Sequence, residues 1–115
     1  MFEITVFNRL KEILSEQNIP IYMDRPENIP ERYVLMEKTG ATIVNHIPTV
    51  TLAFQSYAKR LYDCIVLNET VKNAVSELIN YNDITRIELN SDYNFTDTAT
   101  KTHRYQAVFV LYYYN

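Results

Sequence analysis

The chain has one glycine in 115 residues, where ordinary usage would give roughly eight. That scarcity excludes the glycine-rich phosphate cradles: neither GxGxxG nor GxxxxGK[ST] can be found in it. It also moves turn chemistry onto Asn and Asp, which tolerate the left-handed region best after glycine. Cys64 is the only cysteine, so no intramolecular disulfide forms, and a reducing cytosol suits the chain. There are only two histidines, His46 and His103. Each sits in polar, turn-like sequence without a second ligand at metal spacing, so no metal site is expected. GxSxG, HExxH and CxxC are all missing. No apolar run approaches a membrane span, and "MFEITVFNRLKEIL" lacks the basic start of a signal peptide. The sequons at Asn68 and Asn94 are therefore expected to carry no sugar.

What is present describes one folded domain, residues 1–115. The hydrophobic fraction is 47%, spread along the whole chain, which argues against disorder. This length buries enough apolar surface to fold without disulfides or metal. The net charge of −3 argues mildly against nucleic acid as the main partner. Lys59 and Arg60 are the only adjacent basic pair. Catalysis finds little support. Cys64 lies beside the apolar stripe of a helix and reads as a small buried thiol. Asp92 and Asp97 form only the kind of acidic pair that fourteen carboxylates make inevitable. No catalytic residue and no cofactor is expected.

Periodicity predicts a helix over 2–17, with Val6, Leu10, Ile13 and Leu14 on one side, ended by "QNIP". A brief strand over 21–23 precedes a loop shaped by Pro26 and Pro30. A strand over 33–38 is expected to turn at "TGA", around Gly40. From 45 to 57, Val50, Leu52 and Phe54 alternate with Thr49, Thr51, Ala53 and Gln55, which predicts one buried face and one wet face. A helix over 58–79 follows, with Leu61, Ile65, Val71, Val75 and Leu78 as its stripe and Ser56 as its N-cap. Strands over 84–89 and 103–114 close the chain. The order α-β-β-β-α-β-β points to an α+β fold. We expect a mainly antiparallel sheet of four to five strands, with two helices packed on one face.

The last strand is unusual. Ala107, Phe109, Leu111 and Tyr113 line one face, and Val108, Val110, Tyr112 and Tyr114 the other. Both faces are apolar, while helices on one side cover only one of them. Two readings stay open: a central strand covered above and below by its own chain, or a subunit interface rich in tyrosine. Upstream, Thr96, Thr98, Thr100 and Thr102 alternate as a strand would, so either a projecting hairpin arm or a mobile loop is expected there.

"YVLMEKTG", "FQSYAKRLYDC" and "LNSDYNFTDTATKTHRYQAVF" together resemble the small tail-terminator (tail completion) proteins of long-tailed bacteriophages that infect Gram-positive hosts. The likeness runs from about Tyr22 to Tyr112 and rests on no catalytic motif. It implies an α+β subunit of a six-membered ring in the virion, at the head–tail junction, assembled in the host cytoplasm. Such a ring caps the finished tail tube and offers a docking face to head–tail connector proteins. The family is non-enzymatic, needs no cofactor, and implies no membrane and no direct reading of nucleic acid. Carried onto this chain, the resemblance places subunit or tube contacts in two segments. One is "SDYNFTDT", with Asp92, Tyr93, Asn94, Phe95, Thr96, Asp97 and Thr98. The other is "HRYQ", with His103, Arg104 and Tyr105. A head-side connector or stopper of the same virion and a small nucleic-acid-binding module stay open as alternatives.

Overall fold

The computed structural model describes residues 1–114. Helix α1 (Phe2–Ser15) is followed by strands β1 (Ile21–Tyr22), β2 (Arg32–Val44) and β3 (Ile47–Ala58). Helix α2 (Leu61–Glu77) runs into a 3-10 turn (Leu78–Asn80), and strands β4 (Ile84–Asn94) and β5 (Arg104–Tyr113) finish the chain. The sheet order is β1-β2-β3-β5-β4. All pairings are antiparallel except the two-residue β1, which runs parallel to β2. The expected α+β order and mainly antiparallel sheet are both seen, with one short parallel edge.

Both helices lie on one face. Val6, Leu10 and Leu14 of α1 recur every fourth residue and are buried, which forms a single stripe along the helix. Together with Leu67, Val71 and Val75 of α2 they meet Val34, Leu52, Phe54, Phe109 and Leu111 of the sheet. With glycine scarce, other residues supply the turns. Asn18 takes a φ of 57° after α1. The Ile19 N–H then returns to the Leu14 carbonyl, and the Asn18 N–H to that of Ser15. This double bond pattern closes a helix through a left-handed residue, normally glycine.

Four expectations are corrected. The chain does not turn at "TGA". β2 runs straight through Gly40, which follows a register shift after Lys38, the bulge that glycine often marks within a strand. The turn is Asn45-His46, with φ of 49° and 67°, the pair of left-handed residues that a two-residue hairpin needs. α2 begins at Leu61 with Arg60 at its N-cap, because β5 holds β3 extended to Tyr57 and β2 holds it as far as Ala58. Ser56 therefore lies inside a strand. The stripe of α2 also starts out of phase with the expected one. Counting back seven positions from Val71 gives Cys64, and Cys64, Leu67 and Asn68 are the buried residues. Leu61 and Ile65 are exposed.

The threonine row takes one of its two expected forms, and the fourth correction concerns the wet face of β3. Beyond β4 the chain keeps one further bridge, Asp97 to Thr102, and then turns with Lys101 at a φ of 56°. The row is thus the tip of a hairpin arm, the first of its two expected forms. On β3, the face opposite the helices is drier than alternation implies. Thr49, Ala53 and Tyr57 are buried by their cross-strand neighbours Tyr112, Val108 and Arg104.

Candidate assembly surface

Among the described residues, no helix covers the second face of the sheet. Register places Tyr33, Leu35, Gln55, Tyr57, Gln106 and Tyr93 on it, beside Val108 and Val110. At one end these side chains form a closed circuit across three strands. The Tyr57 hydroxyl donates to Gln55 Oε1 at 3.1 Å. Gln55 Nε2 donates to Gln106 Oε1 at 2.9 Å, and Gln106 Nε2 donates to the Tyr93 hydroxyl. The Tyr93 ring meets Phe95 edge-on at 5.7 Å. The Arg104 guanidinium lies 4.2 Å from the Phe95 centroid and donates to the Tyr57 hydroxyl at 3.2 Å. Tyr33 stacks on Tyr57 at 4.6 Å, which carries the network to β2. Next to the circuit, Leu35, Val108 and Val110 are half-buried around buried Ala53, an apolar patch with Glu37, Thr51, Glu88 and Ser91 as its cross-strand neighbours.

Hydrogen-bonded amides and locked aromatic rings lose little freedom on binding, so this face is pre-organised. Tyr and Arg are the side chains that most often carry interface energy. Burial, then the Tyr57 hydroxyl, push the Tyr33 phenol up, while Arg25 and Arg104 pull it the other way. Tyr33 therefore remains a neutral phenol at ordinary pH.

The residues singled out in the sequence fall in several places. Tyr93, Phe95 and Arg104 belong to the circuit. Asn94 and Asp97 hold the hairpin: Asn94 Oδ1 accepts from the Thr96 N–H at 2.9 Å and hydroxyl at 2.6 Å. Asp97 Oδ1 accepts from the Ala99 and Thr100 N–H groups at 3.0 and 3.3 Å. Those bonds, Thr100's first, draw the Asp97 carboxyl below its usual range. Thr98 is exposed at the tip, and His103 and Tyr105 are half-buried at the base.

Asp92 is on the other face and is engaged by its own chain. It accepts from Asn68 Nδ2 at 2.7 Å and from Lys72 Nζ at 2.6 Å. Asn68 is 2% exposed, so its amide is not open to a sugar. Of the basic pair, Arg60 is held by Asp63 at 2.9 Å, while Lys59 only approaches Glu31 at 3.7 Å with both side chains exposed. Gln55 and Tyr57 were missed in the sequence. The signal available was "FQSY", whose alternation puts both on the face away from Phe54.

Among the described residues, no three His, Cys, Asp or Glu side chains stand close enough to share a metal ion. No helix there is long and apolar enough to cross a membrane. Compared with protein-family models and with curated protein sequences, the chain matches none.

Proposed function

We propose that this protein is a ring-forming tail terminator, which caps a completed phage tail tube and presents a docking face to connector proteins. The observation that carries the reading is the helix-free face. Strands β2 and β5 present Leu35, Val108 and Val110 half-buried beside a rigid tyrosine–glutamine–arginine circuit. An apolar patch framed by fixed polar groups on a small domain is what an assembly contact requires. The resemblance of the β2, α2 and β4–β5 sequences to tail terminators supplies the kind of assembly.

In this mechanism, growth stops for lack of a contact. One rim of the ring reproduces the interface that a tube subunit offers, so it binds the last tube ring. The opposite rim lacks the groups that a further tube subunit would engage. Weak contacts suffice, because each is multiplied by the valency of the ring. The test is to polymerise tail-tube protein with and without this chain, and to size tubes and rings by negative-stain microscopy. Rings of six and tubes of limited length are expected. Tubes that grow without limit in its presence would sink the capping mechanism.

A further inference from the structure

A cavity of about 280 Å³ opens where the proline loop meets the return arm of the β4–β5 hairpin, Lys101 to His103. That volume is about nine water molecules' share of the liquid, room for one aromatic side chain or two short ones. Its apolar lining is Ile29 and Pro30 from the loop and the stacked rings of Tyr33 and Tyr57 from the sheet. Arg25, Lys59 and Lys101 also line it, against one carboxylate, Glu31. The Lys59–Glu31 pair is 3.7 Å apart with both side chains more than three-quarters exposed, which binds neither firmly. Among the described residues, Arg25 and Lys101 have no ion-pair partner. A chain of net charge −3 thus gathers three cations around one small, aromatic-lined hollow.

We propose that this cavity is a recognition pocket for an acidic side chain carried beside an apolar or aromatic one on a partner protein. The carboxylate sits among Arg25, Lys59 and Lys101, and the apolar group lies against Ile29 and the tyrosine pair. Charge complementarity selects the anion, and the depth and lining select its neighbour. A nucleic-acid backbone fits less well. It needs a basic groove that follows successive phosphates, whereas this hollow is one or two side chains wide and has Glu31 in its wall. The pocket stands whether or not the chain forms rings.

Ligand-observed saturation-transfer NMR tests the pocket on the folded 115-residue chain, in monomer and ring alike. The probes are phenylacetate, its neutral isostere phenylacetamide, and inorganic phosphate. Phenylacetate is expected to bind saturably in the millimolar range, with phenylacetamide and phosphate each about tenfold weaker, the factor that accompanies loss of one modest contact. Arg25→Gln with Lys101→Gln, both at exposed positions, should weaken phenylacetate about tenfold. The control pair Lys11→Gln with Arg86→Gln should leave it unchanged. Equal binding of phenylacetamide or phosphate would overturn the proposal, as would equal loss in the control or no saturable binding. A DNA duplex that displaces phenylacetate at lower concentration than an Asp-Phe peptide would overturn it in favour of nucleic acid. Mass photometry of the same samples reports ring formation separately, so the two readings fail independently.

Discussion

The Arg9 guanidinium grips the Asp83 carboxylate through two parallel hydrogen bonds of 2.8 Å, across 74 residues of sequence. It ties α1 to the turn before β4, and its flat face lies 3.9 Å from the Tyr81 ring centroid. The fork geometry suits arginine and not lysine. Arg9 holds the Asp83 carboxyl below its ordinary value of 3.8, against the raising effect of burial. A carboxyl lowered in the folded state contributes stability above its unfolded pKa and loses it as pH falls through the folded one. The pair's contribution should thus be complete near neutrality and fade below about pH 4. Asp83 is 36% exposed in its side chain, so screening limits the coupling to about 0.5–1 kcal/mol. A double-mutant cycle of Arg9→Ala and Asp83→Ala, by urea unfolding at pH 7 and pH 3, checks this. Equal coupling at both pH values would refute it.

Asp92 is predicted to be a fold residue. Its carboxylate satisfies the buried Nδ2 of Asn68 and receives Lys72, whose ammonium is raised chiefly by that bond and then by Glu69. Asp92→Ala leaves a buried amide donor without its partner, which costs about 1–3 kcal/mol. Urea unfolding should show that loss, while Tyr93→Ala, next door but facing outward, should cost less. The reverse order would place Asp92 at a contact surface instead.

The contrast between these neighbours shows how much was legible. Alternation identified the helix face of β3 and β5, because Val50, Leu52, Phe54, Phe109 and Leu111 carry a period of two that burial enforces. It did not separate Asp92 from Tyr93, since a bulge between Leu89 and Ser91 resets which residues share a face. The same weakness hid the long β2, where Gly40 reads as a turn but sits at a bulge. The first turns of α2 misled because Leu61 and Ile65 are apolar yet out of phase with Val71. The Gln55–Gln106 bond joins residues 51 apart, and only cross-strand register brings them together. The proline loop's meeting with Lys101 is likewise tertiary, with no local signal.

Gly40 offers a check on the bulge. Its φ is not in the left-handed region, and an added Cβ would meet Thr51 at 3.9 Å, ordinary contact. Gly40→Ala should then stabilise the fold by about 0.4–1 kcal/mol, mainly by stiffening the unfolded chain. A higher urea midpoint with an unchanged slope is the expected result. Destabilisation would mean that the strand needs glycine's freedom there.

Cys64 should be inert. It is fully buried with its Sγ 3.7 Å from the Ala58 carbonyl, and burial pushes its thiol up. The thiolate is the reactive form, and here it is both disfavoured and unreachable. Labelling by an aromatic disulfide reagent at pH 8 should be at least about a thousandfold slower than in urea, tracking the open population. Fast labelling of the native protein would point to an opening of the α2 N-terminus.

Val110 gives the sharpest test of the assembly surface. It is half-buried on the helix-free face, directly across from Glu88 of β4. Val110→Lys places a cation opposite that carboxylate, a cross-strand pair worth about 0.2–1 kcal/mol, which offsets the lost apolar contact. The fold should therefore survive, with a circular-dichroism spectrum and urea midpoint close to those of the parent. At an apolar interface the same ammonium must be stripped of water without a partner across the contact, and that is costly. Rings, or any higher assembly, should be lost by mass photometry while the monomer stays folded. If Val110→Lys still assembles and still limits tube length, the helix-free face is not the contact, and the exposed Leu61–Tyr62–Ile65–Val66 patch of α2 becomes the surface to substitute next.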